Sequence, residues 1–331
     1  MKKILITGGT GFIGSHLAEK CVKKGYKVTV FDRYNPNYNL GNLKNSICRK
    51  KIRFIFGDIR DYDSVNNAVK GHDIVLHLAA LIGIPYSYVS PNAYIKTNME
   101  GTYNVLESSK NNKVSKIIVT STSEVYGSAK YVPIDEKHPL QPQSPYSASK
   151  IAADNLAQSY FYSFNLPVMI IRPFNTFGPR QSQRAIIPTV IHQILNSKDG
   201  VIKLGNTETI RDFSYVDDTC RAYIDCITKS KFKGEVINVG SGVQVSIKDL
   251  VKMISRIVKK KIIIKKSNNR FRPKKSEVER LCASTNKAKK LIKWKPKYSG
   301  LNGLNYGLGK TIEWMKVLDN FKLYNSDIYN I

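Results

Sequence analysis

The chain has 331 residues, 42% of them apolar and 10% aromatic, enough to fill a large core and to exclude intrinsic disorder as its main state. Lys and Arg number 53 against 25 Asp and Glu, a formal net charge of +28 with a pI near 9.8, so an acidic partner comes into consideration. No apolar run reaches the roughly 18 to 20 residues that span a bilayer, and MKKILITGG leads into a strand and a glycine turn instead of a cleavage site, so a soluble, cytoplasmic protein without a membrane partner is expected.

Short apolar runs at 3–7, 27–31, 52–56, 74–78, 117–120 and 168–171 alternate with amphipathic helical stretches. Parallel strands need helical crossovers and bury both faces, so this order predicts an α/β protein with a doubly wound parallel sheet, its site at the carboxyl ends of the strands. The pattern turns irregular after Arg172 and returns with a strand-like run at 235–238. The expected division is 1–171 with a returning segment at about 208–240, and a smaller, partly discontinuous C-terminal region of 172–207 and 241–331. Residues 248–297 carry 19 Lys/Arg against 3 Asp/Glu. They are mostly lysines scattered among apolar residues, without a nucleic-acid module, so a solvated face and no nucleic-acid partner are expected. Five cysteines without a CxxC pair fit reduced thiols and give no metal site.

The first strand opens onto Gly8-Gly9-Thr10-Gly11-Phe12-Ile13-Gly14, and 15–24 reads as a helix. Gly9, Gly11 and Gly14 satisfy GxGxxG in its strand-turn-helix context, where absent side chains let the backbone approach a pyrophosphate. The second strand ends in Asp32, whose carboxylate can accept from adenosine ribose hydroxyls and repel a 2′-phosphate, favouring NAD over NADP; Arg33 works against that preference. Asp58, followed by Ile59, closes the third strand, where it either meets the adenine edge or caps the next helix. Leu78, Ala79 and Ala80 follow His77 at the end of the fourth, small enough for close cofactor approach or for plain core packing.

Ser144-Pro145-Tyr146-Ser147-Ala148-Ser149-Lys150 starts a helix, with Ser144 as cap and Tyr146 and Lys150 on one face. An ammonium beside a phenol lowers its pKa toward that of a useful base for an alcohol proton.

TGGTGFIG, Asp32, Asp58, HLAA and YSASK together resemble the extended short-chain dehydrogenase/reductase family, in particular its nucleotide-sugar-modifying members, over nearly the whole chain. The resemblance implies a Rossmann domain holding NAD and a substrate domain for a nucleotide-diphosphate sugar. Tyr146 would be the catalytic acid/base, Lys150 would also hold the nicotinamide ribose, and Thr122 would orient the sugar 4-hydroxyl. It further implies a homodimer paired through helices of the nucleotide domain. Ser123 and Glu124 lie in STSEVYG, a string similar to that of GDP-mannose 4,6-dehydratases, in which the Glu removes the C5 proton and water leaves from C6. UDP-glucuronate decarboxylases carry a similar string, and simple 4-epimerases need no such carboxylate. Asn175, Arg211 and Arg272 match residues that bind the sugar or the diphosphate, and Arg184 and Arg280 are unassigned cations. NTFGPRQSQRAIIPT and RPKKSEVERL resemble NAD-dependent 4,6-dehydratases of the legionaminic-acid branch, acting on nucleotide-linked N-acetylglucosamine with guanine or uracil as base. A 4,6-dehydratase is therefore expected, with epimerase and decarboxylase as alternatives, and an NAD-binding, RNA-associated protein as the alternative outside enzymes.

Overall fold

The computed structural model describes residues 1–229 and 231–321. Seven parallel strands form the central sheet: β1 (Lys3–Thr7), β2 (Lys27–Arg33), β3 (Ile52–Gly57), β4 (Ile74–His77), β5 (Lys116–Thr120), β6 (Val168–Pro173) and β7 (Glu235–Val239). Their order across the sheet is β7-β6-β5-β4-β1-β2-β3. All run the same way, but the order in which the chain adds strands reverses between β1 and β4, which opens a crevice at the carboxyl ends of these two strands. The expected α/β architecture is the one observed.

Helix α1 (Phe12–Lys23) packs one face, and α2 (Tyr62–Val69), α3 (Gly101–Asn111) and α4 (Pro145–Phe164) cover the other. Residues of alternate pleats, such as Ile4 and Leu5, enter opposite cores, and both are fully buried. Helix α1 begins earlier than the expected 15–24. Gly14 lies inside its first turn because a Cβ there would sit 2.2 Å from the Gly8 carbonyl oxygen, so a residue that reads as loop is needed in the helix.

A third core gathers α5 (Ile186–Asn196), α7 (Ile247–Val258) and α8 (Gly300–Met315), while α6 (Val216–Lys229) returns to the sheet beside α1. Strand segments Val201–Leu204 and Ile263–Lys266 pair in parallel over this core. Here the basic stretch is amphipathic: Leu250, Val251 and Ile254 are buried, while Lys248, Lys252 and Arg256 face out. Among the described residues no helix is long and apolar enough to cross a membrane.

Candidate active site

At the crevice, Gly8 has φ +70°, and a Cβ there would lie 2.8 Å from the Ala79 nitrogen. Only glycine relieves both constraints. Helix α1 starts from Gly11 with no side-chain cap and no acid in its first turn. The amides of Phe12, Ile13 and Gly14 have no partner inside the helix, so a positive helix end and bare N–H donors face the turn, which fits a pyrophosphate. Asp32 is held at the end of β2 by the Thr10 N–H (2.9 Å) and hydroxyl (2.6 Å).

Asp58 is clasped by Arg60, whose Nε lies 2.9 Å away, and this guanidinium holds its carboxyl below the usual range. It does not cap α2; Asp61 does, accepting from the Asp63 N–H at 3.1 Å. Ile59 is buried, and its carbonyl accepts from Asn104. The Leu78 and Ala79 N–H groups both donate to the Thr7 hydroxyl at 3.2 Å, and half-buried Ala80 follows. Beneath them His77 bridges Thr7 and Thr102. Burial, with Lys150 nearby, pushes its pKa down to about 3, so the imidazole is neutral.

A capping box starts α4: Ser144 Oγ accepts the Ser147 N–H at 3.1 Å, and Ser147 Oγ accepts the Ser144 N–H at 3.0 Å. With Pro145 in the first position, this fixes the turn that carries Tyr146. Tyr146 packs edge-on against Tyr94, with ring centres 6.1 Å apart, and is hydrogen-bonded to Thr122. Burial pushes its phenol above the ordinary value, contrary to the lowering expected from the neighbouring lysine, and the Thr122 hydrogen bond counteracts only part of this. The Lys150 ammonium is itself buried, donates to the Thr120 carbonyl at 2.6 Å, and has its pKa lowered to about 8 by desolvation.

Thr122 also caps the turn Ser123–Tyr126 by accepting the Glu124 N–H at 3.2 Å. Ser123 is buried. The Glu124 side chain is only 12% exposed and lies 3.8 Å from Arg272 Nη1; its charge also acts on Tyr146 and Arg211. The Glu124 carboxylate is thus turned toward Arg272 and away from bulk water, near enough for its charge to be felt at the Tyr146 phenol.

Asn175, Arg184, Arg211 and Arg272 all border one cavity of about 310 Å³. The Asn175 amide donates to the Asp212 carbonyl at 3.3 Å. Glu277 bridges the two inner arginines, at 3.5 Å from Arg211 and 3.9 Å from Arg272. Arg184 is exposed at the cavity rim, whereas Arg280 donates to Gln244. Glu277 and Arg270, which also line this cavity, had no role in the sequence reading; the acid among cations in RPKKSEVERL was the available signal.

The family profile described as GDP-mannose 4,6 dehydratase matches residues 5–305. The dTDP-D-glucose 4,6-dehydratase of Dictyostelium discoideum is 39% identical over 272 residues, 78% of this chain and 62% of that protein's length. Among solved structures, the UDP-glucuronic acid 4-epimerase of Bacillus cereus, in complex with UDP-glucuronic acid and NAD, is 32% identical with a TM-score of 0.86, covering 97% of this chain and 100% of that one. The dTDP-glucose 4,6-dehydratase DesIV of Streptomyces venezuelae, with NAD bound, is 26% identical, with the same TM-score and coverage. With a glycine turn and a bare helix end suited to a dinucleotide, and a profile match that spans most of the fold, the chain belongs to the GDP-mannose 4,6-dehydratase family of NAD-dependent nucleotide-sugar epimerases and dehydratases.

Proposed function

We propose that the protein is a 4,6-dehydratase of a nucleotide-diphospho-N-acetylhexosamine, with GDP- or UDP-N-acetylglucosamine as substrate. The observation that carries this reading is Glu124, a mostly buried carboxylate set beside Tyr146 and the cleft arginines. NAD, when bound, supplies the hydride acceptor for C4 and the donor for C6. Tyr146 takes the proton of the 4-hydroxyl, and Thr122, bonded to the phenol, orients that hydroxyl. The phenol needs a cation because burial disfavours its ionised form; Lys150, four residues on along the same helix, provides it. Once C4 is a ketone, the C5 proton is acidified and Glu124 removes it. The C6–O bond then breaks and the hydroxyl leaves as water with the proton Glu124 took, Ser123 being a poor acid; as C6 is reduced, C5 regains a proton equal to the one Tyr146 took from the 4-hydroxyl, which returns the phenol to its starting state. Asn175, Arg211 and Arg272 hold the sugar and diphosphate.

The epimerase reading draws on the Bacillus cereus relative and on Arg184, an exposed cation at the cavity rim with no other role in the dehydratase reading. One assay separates the two: the protein is incubated with GDP- and UDP-N-acetylglucosamine, dTDP-glucose and UDP-glucuronic acid, and the products are weighed. Loss of one water supports the dehydratase; unchanged mass with a new epimer, or loss of carbon dioxide, overturns it. Glu124→Gln should still oxidise C4, seen as reduced-nicotinamide absorbance, and release no dehydrated sugar. Normal dehydration by this variant removes the assigned role.

A further inference from the structure

The amino ends of the strands form a second concavity, of about 560 Å³, at the edge of the sheet opposite the catalytic cleft and sharing no lining residue with it. Its walls carry Lys3, Lys27, Lys51, Arg53, Lys70 and His72. The register makes this more than a lysine-rich surface. Lys3 and Lys27 are direct partners across β1 and β2. Lys51 immediately precedes Ile52, the partner of Val28, so it falls beside Lys27. Three lysines therefore follow one another along the amino edge of three adjacent strands, Lys51 in the short 3-10 turn that leads into the third; Arg53, the partner of Thr29, follows on that strand, and all four line the concavity. Like charges placed directly opposite each other destabilise a sheet.

Among the described residues none of these five cations forms an ion pair. Asp73, next to His72, accepts from the Lys3 backbone N–H at 2.7 Å. The carboxyl ends of α1 and α2 point here, but each contributes about half a negative charge, so together they balance about one cation of the five. The His72 ring is set in the wall, with Nε2 2.9 Å from the Thr29 hydroxyl. Its pKa is held below the ordinary value, chiefly by burial, and the charges of Arg53 and Lys3 add to the effect.

We propose that this concavity binds a small polyanion of the oligophosphate class, free or carried on a nucleoside. Several phosphates satisfy a row of cations that a single phosphate cannot span, and Tyr26, Val22 and Val28 offer an aromatic and apolar wall to whatever carries them.

Inorganic triphosphate is the probe, followed by calorimetry and by the imidazole resonance of His72, one of five histidines. Binding is expected to weaken with added salt and to raise the His72 titration midpoint, since an anion opposes Arg53 and Lys3. The triple variant Lys27→Gln/Lys51→Gln/Arg53→Gln should bind at least about tenfold more weakly, melt no lower than the native protein because the repulsion is gone, and keep its sugar-nucleotide turnover. ATP is the second arm. Equal affinity for ATP and triphosphate identifies the phosphate chain alone as the ligand, and tighter ATP binding that the variant loses places a nucleoside against Tyr26; each supports the proposal. It is overturned if triphosphate leaves the His72 resonance unmoved, or if the variant binds triphosphate as tightly as the native protein, which would assign that binding to the catalytic cleft.

Discussion

In the proposed reaction the acid–base chemistry turns on Lys150, and its neighbours explain why. A fully buried ammonium has lost its hydration, so it holds its proton only through nearby acceptors. The Thr120 carbonyl is one. Asp154, one helical turn further along α4, is the carboxylate whose charge raises the Lys150 pKa against burial. Asp154 also pairs with Arg172 at 2.9 Å and accepts from the Ser121 hydroxyl at 2.8 Å, with no exposure to water. Turnover should therefore fall as pH rises through about 8 and Lys150 becomes neutral. The sign for stability is opposite: the folded pKa lies below the ordinary 10.5, so unfolding takes up a proton between about pH 8 and 10.5, and this group makes stability rise with pH across that window. Asp154→Asn should shift the basic limb of the kcat/KM profile to lower pH. It should also reduce stability by about 3 to 5 kcal/mol, because Arg172 is left as a buried unpaired charge. A profile unmoved by the substitution would show that Asp154 serves only Arg172.

Elements bring these residues together, and they were unequally visible in the sequence. Strands of a parallel sheet are buried on both faces, so β1, β4 and β5 read as unbroken apolar runs and the α/β order followed directly. The turn between β1 and α1 was legible as a motif, although the helix start was not, because Gly14 carries no helical signal and owes its place to packing on Gly8. That turn supplies a test: Gly8→Ala adds a Cβ at φ +70° and drives it against the Ala79 backbone. NAD affinity should drop at least about tenfold and the melting temperature should fall, since a residue forced into this region costs about 1 to 3 kcal/mol; calorimetric titration with NAD reads the first and a thermal melt the second. The region beyond β6 was harder to read. Its core joins segments as distant as Val201–Leu204 and Ile263–Lys266, and periodicity within one segment does not report such a pairing. The direction of the Tyr146 shift was hidden for a related reason: YxxxK spacing shows the lysine, while the depth of burial that outweighs it is set by Tyr94 and the surrounding fold.

At the scale of the whole molecule, the sheet and the third core must hold the cleft between them, and Asp212 is placed to do so. Its carboxylate is fully buried and accepts from the Ser241 N–H (2.7 Å) and hydroxyl (2.6 Å), the Gly242 N–H (2.9 Å) and the Ala283 N–H (3.0 Å). These donors come from the loop after β7 and from the segment that bridges Ile134 ahead of α4, while the Asp212 carbonyl accepts from Asn175 in the cleft. Asp212→Asn turns one acceptor into a donor facing donors, an unsatisfied buried arrangement that should cost about 3 kcal/mol. The two tryptophans can report where this loss falls, because Trp294 packs in the core between the sheet and α6 whereas Trp314 packs in the third core. In urea, native protein carrying either tryptophan alone should show coincident transitions. In the Asp212→Asn background the Trp314 transition should move to lower urea than that of Trp294, with sugar-nucleotide binding lost along the earlier one. Transitions that remain together would mean that the two cores unfold as a unit whatever Asp212 contributes, and the link between them would then be sought at Tyr215, which packs against both.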